Sequence, residues 1–321
     1  MKKTVLWILS FLLTAFILVY QRTTGPTYPL RGSTTLDGNE ISYKLLRSHE
    51  TTHNYEINIT SKNPDITGYV LYKRFNTQDA LIRKPLQREK DNLSSFLPKQ
   101  PSAGKLEYRV ILTHLGAELD LSGKNPVIIR FKDPVPGLIV IVHILVMFLA
   151  LLFSTRTGLE ALRADSNPRK LTLWTFIFLV LGGLIFGPLM QKFAFGAFWT
   201  GFPFGTDLTD NKTLIALIGW LIAMIAVFRK DKPARGWVLA ASILMILIFL
   251  IPHSLLGSEL DYSTLENQET QVIQESGQLI RKHADFSQRG KSARIQSSLS
   301  SPLGEEPCPL ILAHGFLNQL T

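Results

Sequence analysis

Apolar residues fall in five blocks along the chain: Thr4 to Tyr20, Gly137 to Ser154, Leu171 to Met190, Leu214 to Phe228 and Trp237 to Leu256. Each approaches the ~20 residues that cross a ~30 Å hydrocarbon layer at ~1.5 Å per residue, so the pattern predicts membrane-spanning helices. The fourth block is the shortest, which leaves four spans as the alternative to five. Between the first two blocks, Gln21 to Pro134 changes period: apolar and polar residues alternate, the signature of half-buried strands. Glu40–Leu45, Tyr55–Ile59, Gly68–Tyr72, Leu106–Leu112 and Val127–Phe131 carry that alternation, separated by turn formers such as Asp37-Gly38-Asn39 and Asn63-Pro64-Asp65. About seven short strands in this length suggest a sandwich of immunoglobulin-like or fibronectin-like architecture, without the Cys-Trp-Cys core of true immunoglobulin domains.

The expected fold is therefore a membrane α-helical bundle of about five transmembrane helices with an exported, all-β, sandwich-like domain. Its parts are an anchor helix over residues 1–20, the β domain over 21–134, a four-helix transmembrane bundle over 135–256 with an aromatic loop at 191–213, and a polar tail over 257–321. From Ser263 to Ser301 that tail is rich in Ser, Gln, Glu and Lys with no sustained apolar period, the composition of a disordered segment or a loose helix.

Charge orients this layout. The net charge of +9 sits in no basic patch interleaved with aromatics, so nucleic acid is not an expected partner. Lys2 and Lys3 precede the first block; Arg156, Arg163, Arg169 and Lys170 lie between the second and third; Arg229, Lys230, Lys232 and Arg235 lie between the fourth and fifth. The connection from Gln191 to Thr213 has only Lys192 and Lys212, balanced by Asp207 and Asp210. The positive-inside rule puts the N-terminus in the cytoplasm of a bacterial cell and the β domain and C-terminus outside, in the periplasmic direction. Met-Lys-Lys opens the chain like a signal peptide, but the apolar stretch is long and no A-x-A-like site precedes Gln21, so an uncleaved signal anchor is expected. The lone Cys308 forms no intrachain disulfide.

Within the β domain, Arg74, Arg83, Lys84, Arg88 and Lys90 concentrate around an expected loop, read as a solvated face or, alternatively, a contact for anionic lipid headgroups. His49, His53 and His114 are too scattered to define a metal site. On the third span, Gly183 and Gly187 have the small-xxx-small spacing of close helix packing.

Candidate chemistry collects on the outer side. The 191–213 connection holds Phe193, Phe195, Phe198, Trp199, Phe202 and Phe204 among glycines, next to Asp207 and Asp210. One or two rings per helix end serve as interfacial anchors; six suggest an apolar platform for a flat ligand. His143 lies roughly 10 Å below the outer end of the second span, and His253 near the outer end of the fifth. Counted from the inner boundary they stand at ~16 Å and ~24 Å, so joining them needs tilt or a kink at Pro252. Gly257 to Tyr262 adds carboxylates on that side.

A tryptophan-bearing outer loop between two helices, with a histidine on each flanking helix and the stretch Asp210-Asn-Lys-Thr-Leu-Ile-Ala-Leu-Ile-Gly-Trp-Leu221 closing it, resembles the haem-handling proteins of cytochrome c assembly. The likeness covers Gly196 to Leu221 and the two histidines. It departs from that family in having one loop tryptophan, a Phe-Pro-Phe insertion and fewer helices. It implies haem as cofactor, His143 and His253 as axial metal ligands, and Trp199, Phe202, Phe204, Asp207 and Asp210 around the macrocycle. The alternative from another class is a non-catalytic, membrane-anchored scaffold or sensor whose exported domain binds a protein partner, with the lipid bilayer the only other partner. A transporter lacks carboxylates or lysines at mid-bundle. No serine-nucleophile motif, HExxH or phosphate loop points to hydrolysis, so enzymatic turnover is not favoured.

The alternating basic connections make a direct prediction: a reporter fused after Gly158 will behave as cytoplasmic and one after Asp207 as exported. The opposite pair of signals contradicts the topology.

Overall fold

The computed structural model describes residues 2–163, 166–229, 234–252, 257, 259–265, 267 and 271–278. It divides into two compact units, Met1–Tyr262 and Ser263–Thr321. In the second, residues 271–278 are helical; the first holds everything that follows.

The β domain has eleven strands among the described residues: β1 (Leu30–Leu36), β2 (Asn39–Leu45), β3 (Ser48–Glu50), β4 (Tyr55–Ser61), β5 (Thr67–Arg74), β6 (Ile82–Pro85), β7 (Gln87–Glu89), β8 (Asn92–Leu97), β9 (Lys105–His114), β10 (Ala117–Asp120) and β11 (Val127–Lys132). One sheet runs β1-β2-β4-β8-β7; the other runs β3-β11-β9-β5-β6, with β10 also on β9. All pairs are antiparallel except β3 with β11. The expected alternation is present: on β4, Tyr55, Ile57, Ile59 and Ser61 are buried while Glu56, Asn58 and Thr60 are exposed. The inward residues of the two sheets, including Ile41, Ile57, Val70, Leu106, Val110 and Phe131, form one core. At about 1.5–3 kcal/mol for each fully buried aliphatic or aromatic side chain, this core is the domain's main source of stability.

Six of the eleven strands lie outside the five stretches picked from the pattern: β3, β6, β7 and β10 have three or four residues and β1 is at an edge where one side stays wet, whereas β8, paired on both sides and alternating, was overlooked. The basic concentration is one such place. Arg83 and Lys84 are on the exposed edge strand β6 and Arg88 is on β7, where a loop was expected. Arg88 is no solvated side chain: its guanidinium donates to the carbonyls of Ser61 at 3.0 Å, Asn63 at 2.8 Å and Ile66 at 2.7 Å, pinning the turn between β4 and β5. His49 and His53 meet edge to face at 4.5 Å, while His114 pairs elsewhere with Asp37 at 2.8 Å.

The helices are α1 (Lys3–Thr24), α2 (Gly137–Ala161), α3 (Arg169–Val180), α4 (Gly187–Phe195), α5 (Leu208–Arg229) and α6 (Arg235–Leu250), with a π-helical turn at Leu181–Phe186 joining α3 to α4. Among the described residues, α1, α2, the α3–α4 unit and α5 are long and apolar enough to cross a membrane. The short helix is the fifth, not the fourth as the apolar blocks suggested: α5 has 22 residues and α6 has 16. Asp207 starts α5 about two turns before its apolar block, and α6 stops two residues before Pro252, whose ring disfavours helix in the residue preceding it. Likewise α1 runs to Thr24, past the expected boundary at Tyr20.

The third block is not a regular helix. Pro188 has no N–H to return to the preceding turn, and the chain widens there so that Gly187 N pairs with Gly182 O. Of the expected pair, Gly183 serves close packing, and Gly182 beside it does the same toward another neighbour. A Cβ on Gly182 would collide with Met147 Sδ of α2, and one on Gly183 would lie 2.7 Å from Thr213 Cγ2 of α5. The bundle core is built on Trp220, Leu151, Leu179 and Met245, all fully buried. Large apolar side chains such as Leu138, Ile141, Ile144 and Leu145 point outward instead.

Candidate functional site

The β domain is fastened to one end of the bundle by the chemistry of helix ends. The last carbonyls of a helix have no partner within it. α4 stops at Gly196, whose φ of 82° is the left-handed conformation glycine adopts freely. That leaves the Ala194 carbonyl open, and the β domain satisfies it: Asp133 N donates at 3.0 Å and Ser102 Oγ at 2.7 Å. At the end of α6, Lys212 Nζ donates to Ile251 O at 2.8 Å and Gln21 Nε2 to Phe249 O at 3.0 Å. A buried lysine at a helix C-terminus is held by the carbonyl dipoles.

The chain past α6 returns over the β domain. Lys105 Nζ pairs with Glu259 Oε2 at 2.7 Å, Leu260 N donates to Ala103 O at 3.3 Å, and Lys105 N donates to Tyr262 Oη at 3.0 Å. The tail expected to be loose from residue 257 is thus held against the β domain as far as Tyr262, which is itself buried. Burial raises the Tyr262 hydroxyl above its ordinary range, so its Oη stays protonated, donates to Gln100 Oε1 at 3.0 Å and accepts from Lys105 N.

The acids of the aromatic loop build the loop. Asp207 caps α5: its Oδ1 accepts from Thr209 N at 2.8 Å and Asp210 N at 3.4 Å, and its carbonyl accepts from Asn211 N at 3.1 Å. Asp210, almost fully buried, accepts from Thr200 N at 2.7 Å and Gly201 N at 3.0 Å through Oδ2. Asn211 Oδ1 takes Phe202 N at 2.6 Å. A Cβ on Gly201 would strike the Asp210 side chain, so only glycine lets the loop backbone approach that closely. Folding the backbone onto α5 turns the rings outward: Phe198 is 57 %, Phe202 69 % and Phe204 82 % exposed.

Two cavities lie beneath this junction. The smaller, about 140 Å³, is lined by Arg130 of β11, by His143 and Met147 of α2, by Gly183, Gly187, Met190, Gln191, Ala194 and Phe195, and by Asp207, Thr209, Asp210 and Thr213. The larger, about 320 Å³, opens between α1, α2, α4 and α6 and is lined by Leu18, Gln21, Arg22, Gly25, Thr27, His143, Ile144, Met147, Phe148, Met190 and Phe249. His143, Met147 and Met190 belong to both walls. The His143 ring faces the Gly182 carbonyl, and its Nδ1, closed off from solvent, has no hydrogen-bond partner among the described residues.

Arg130 is the basic group of the smaller cavity. Its guanidinium carbon stands 4.0 Å over the Phe195 ring, and burial pulls it below the ordinary arginine range while the Asp207 and Glu259 carboxylates oppose that shift. A Cβ on Gly257 would lie 2.7 Å from Arg130 Nη1, so the returning segment closes over it.

The structure thus brings together His143, Asp207 and Asp210 of the anticipated residues. Trp199, Phe202 and Phe204 line neither cavity beside His143; Trp199 Nε1 instead donates to Phe202 O at 3.0 Å within the loop. His253 lies outside the described residues. Arg130, Met147 and Met190 were missed. Met147 had a signal, one helical turn from His143 on the same face; Arg130 had one in its outward position on a strand six residues before α2. Among the described residues no three His, Cys, Asp or Glu side chains converge to hold a metal. The chain matches no protein-family model and no curated protein.

The Asp210 contacts predict its role. Two hydrogen bonds to a carboxylate contribute about 1.5–3 kcal/mol each. Asp210→Ala will speed chymotryptic cleavage within residues 196–206 of the detergent-purified protein roughly tenfold or more, whereas Asp210→Asn, which keeps an acceptor oxygen, will change it little. Equal cleavage of wild type and Asp210→Ala contradicts the role.

Proposed function

We propose that this chain is a multi-pass protein of a bacterial cytoplasmic membrane, with five spans, the N-terminus inside, and a ligand-binding site at the outer end where the β domain meets the helices. The observation that carries the reading is the cavity lined at once by Arg130 of the β domain and by His143, Asp207 and Asp210 of the bundle. A largely apolar hollow with a few convergent charged groups and a buried imidazole nitrogen without a partner is the combination found where a small ligand is oriented. The outward apolar side chains of α2 and α5 support insertion. Orientation is supported by the basic residues at the bundle end away from the β domain, where Arg235 Nη1 donates to Arg163 O at 2.6 Å and Arg169 Nε to Val227 O at 3.1 Å.

Haem, the cofactor the loop resemblance implies, finds little support here: Trp199, Phe202 and Phe204 line neither cavity beside His143, and of the two only the larger, about 320 Å³, reaches the ~300–1,000 Å³ of pockets that enclose drug-sized ligands. The reading is therefore of a smaller ligand held between guanidinium, imidazole and carboxylates.

A second reading, a scaffold whose exported domain binds a protein, is favoured by edge strand β6. Its four residues are all exposed, and Leu81 and Ile82 present 59 % and 51 % of their surface, a template for strand addition.

Native mass spectrometry of the wild-type protein released from membranes will show a bound small species that Arg130→Ala and His143→Leu remove and Phe204→Leu retains. Its absorption spectrum will lack a Soret band. A bare wild-type chain, or a species indifferent to Arg130 and His143, favours the scaffold; a His143-dependent Soret band restores haem.

A further inference from the structure

The three side chains common to both cavities are one imidazole and two thioethers, and they meet where the third span is irregular. His143 and Met147 are four residues apart and so share one face of α2. Met190 follows Gly187 by three residues on α4 and therefore points to the same side as that glycine. The π turn brings them together. The His143 ring faces Gly182 O, Met147 packs its sulfur onto Gly182, and a Cβ on Gly187 would lie 3.8 Å from His143 Cε1. Glycine at 182 is what leaves the Met147 sulfur its room beside that turn.

We propose that His143, Met147 and Met190 form a binding site for a monovalent soft metal ion of the copper(I) class. The inference rests on the outer-end site proposed above and gives its His143 end a ligand of its own, distinct from the species that Arg130 holds. Thioethers are neutral, polarisable donors that select copper(I) over zinc or the hard divalent ions, and imidazole nitrogen is compatible with the same metal. The His143 Nδ1 is buried without a hydrogen-bond partner, so in the tautomer that carries its proton on Nε2 it has a lone pair to offer. A metal accepts that lone pair. The larger cavity, with Leu18, Ile144 and Phe148 on its walls, gives the same three ligands an apolar side. A soft ion tolerates that surrounding better than a strongly hydrated one.

The test uses the full-length detergent-purified chain with Cys308→Ser, which removes its only thiol. Copper(I) is supplied anaerobically and competed with bicinchoninate. One copper(I) per chain is expected, with zinc(II) not retained. Met147→Leu and Met190→Leu conserve volume and fold, and each will weaken binding at least tenfold; His143→Leu will abolish it. X-ray absorption will report both nitrogen and sulfur neighbours. If His143→Leu does not fold, the two methionine variants decide. Binding unchanged in the Met147→Leu, Met190→Leu double variant, or no copper(I) on the parent chain, overturns the proposal. If copper(I) is refused while the co-purified species persists, the copper inference alone falls; loss of both takes the ligand site with it.

Discussion

β11 ends at Lys132 and α2 begins at Gly137, so only Asp133 to Pro136 separate a sheet from a helix that is apolar on its outer face. Two of those four residues are prolines, which stiffen the connection and offer no N–H of their own. With so little slack, the end of the β domain has to rest on the helix ends. The polar groups trapped there must be paired, because an unpaired buried donor or acceptor costs about 1–3 kcal/mol. The rest of the site follows from that constraint: Ala194 O is taken by Asp133 and Ser102, the α6 carbonyls by Lys212 and Gln21, and Arg130 is enclosed among Phe195, Asp207 and the returning segment at Gly257.

Inside the bundle the same economy of polar contacts is met by hydroxyls and small residues. Thr14 meets Thr155 at 3.2 Å, Thr157 meets Thr175 at 3.1 Å, and Ser242 donates to Ser154 O at 2.9 Å. Such contacts let helices approach without a bulky apolar interface, and interhelical hydrogen bonds of this kind contribute roughly 0.6 kcal/mol each in a membrane. The one disruption, the π turn before Pro188, falls where Gly182, Gly183 and Gly187 give space to Met147, Thr213 and His143. An irregular turn here shapes the wall of both cavities, so packing and the candidate site are solved by the same residues.

Long apolar blocks and strict alternation were legible in the sequence because each is a local pattern repeated over many residues. β4 and β11 alternate over their whole length, β9 alternates from Lys105 to Val110, and α2 is apolar from Leu138 to Phe153 except for His143. Edge strands of three or four residues, such as β3 and β7, are too short to carry a period. Helix limits shifted where a polar side chain did a backbone task that hydropathy does not register, as Asp207 does for α5. For the site, His143, Asp207 and Asp210 could be gathered by counting charges and helix rise. The outward turn of Phe202 and Phe204 could not, because it depends on Asp210 and Asn211 drawing the loop backbone onto α5. Arg130 was hidden for a related reason: its partners, Phe195, Asp207 and Glu259, lie far along the chain, and only the fold makes them neighbours.

The central claim is that the β domain is docked on the helix ends and closes the cavity over His143. The most direct measurement is a cross-link in native membranes between Ser102→Cys and Ala194→Cys in a Cys308→Ser chain, since Ser102 Oγ lies 2.7 Å from Ala194 O. Mild oxidation will join the two segments, while a pair of Ser33→Cys, far out on β1, with Ala194→Cys will stay unlinked. A Ser102–Ala194 pair that remains unlinked, although each single cysteine reacts readily with a maleimide, would show that the domain is not seated there.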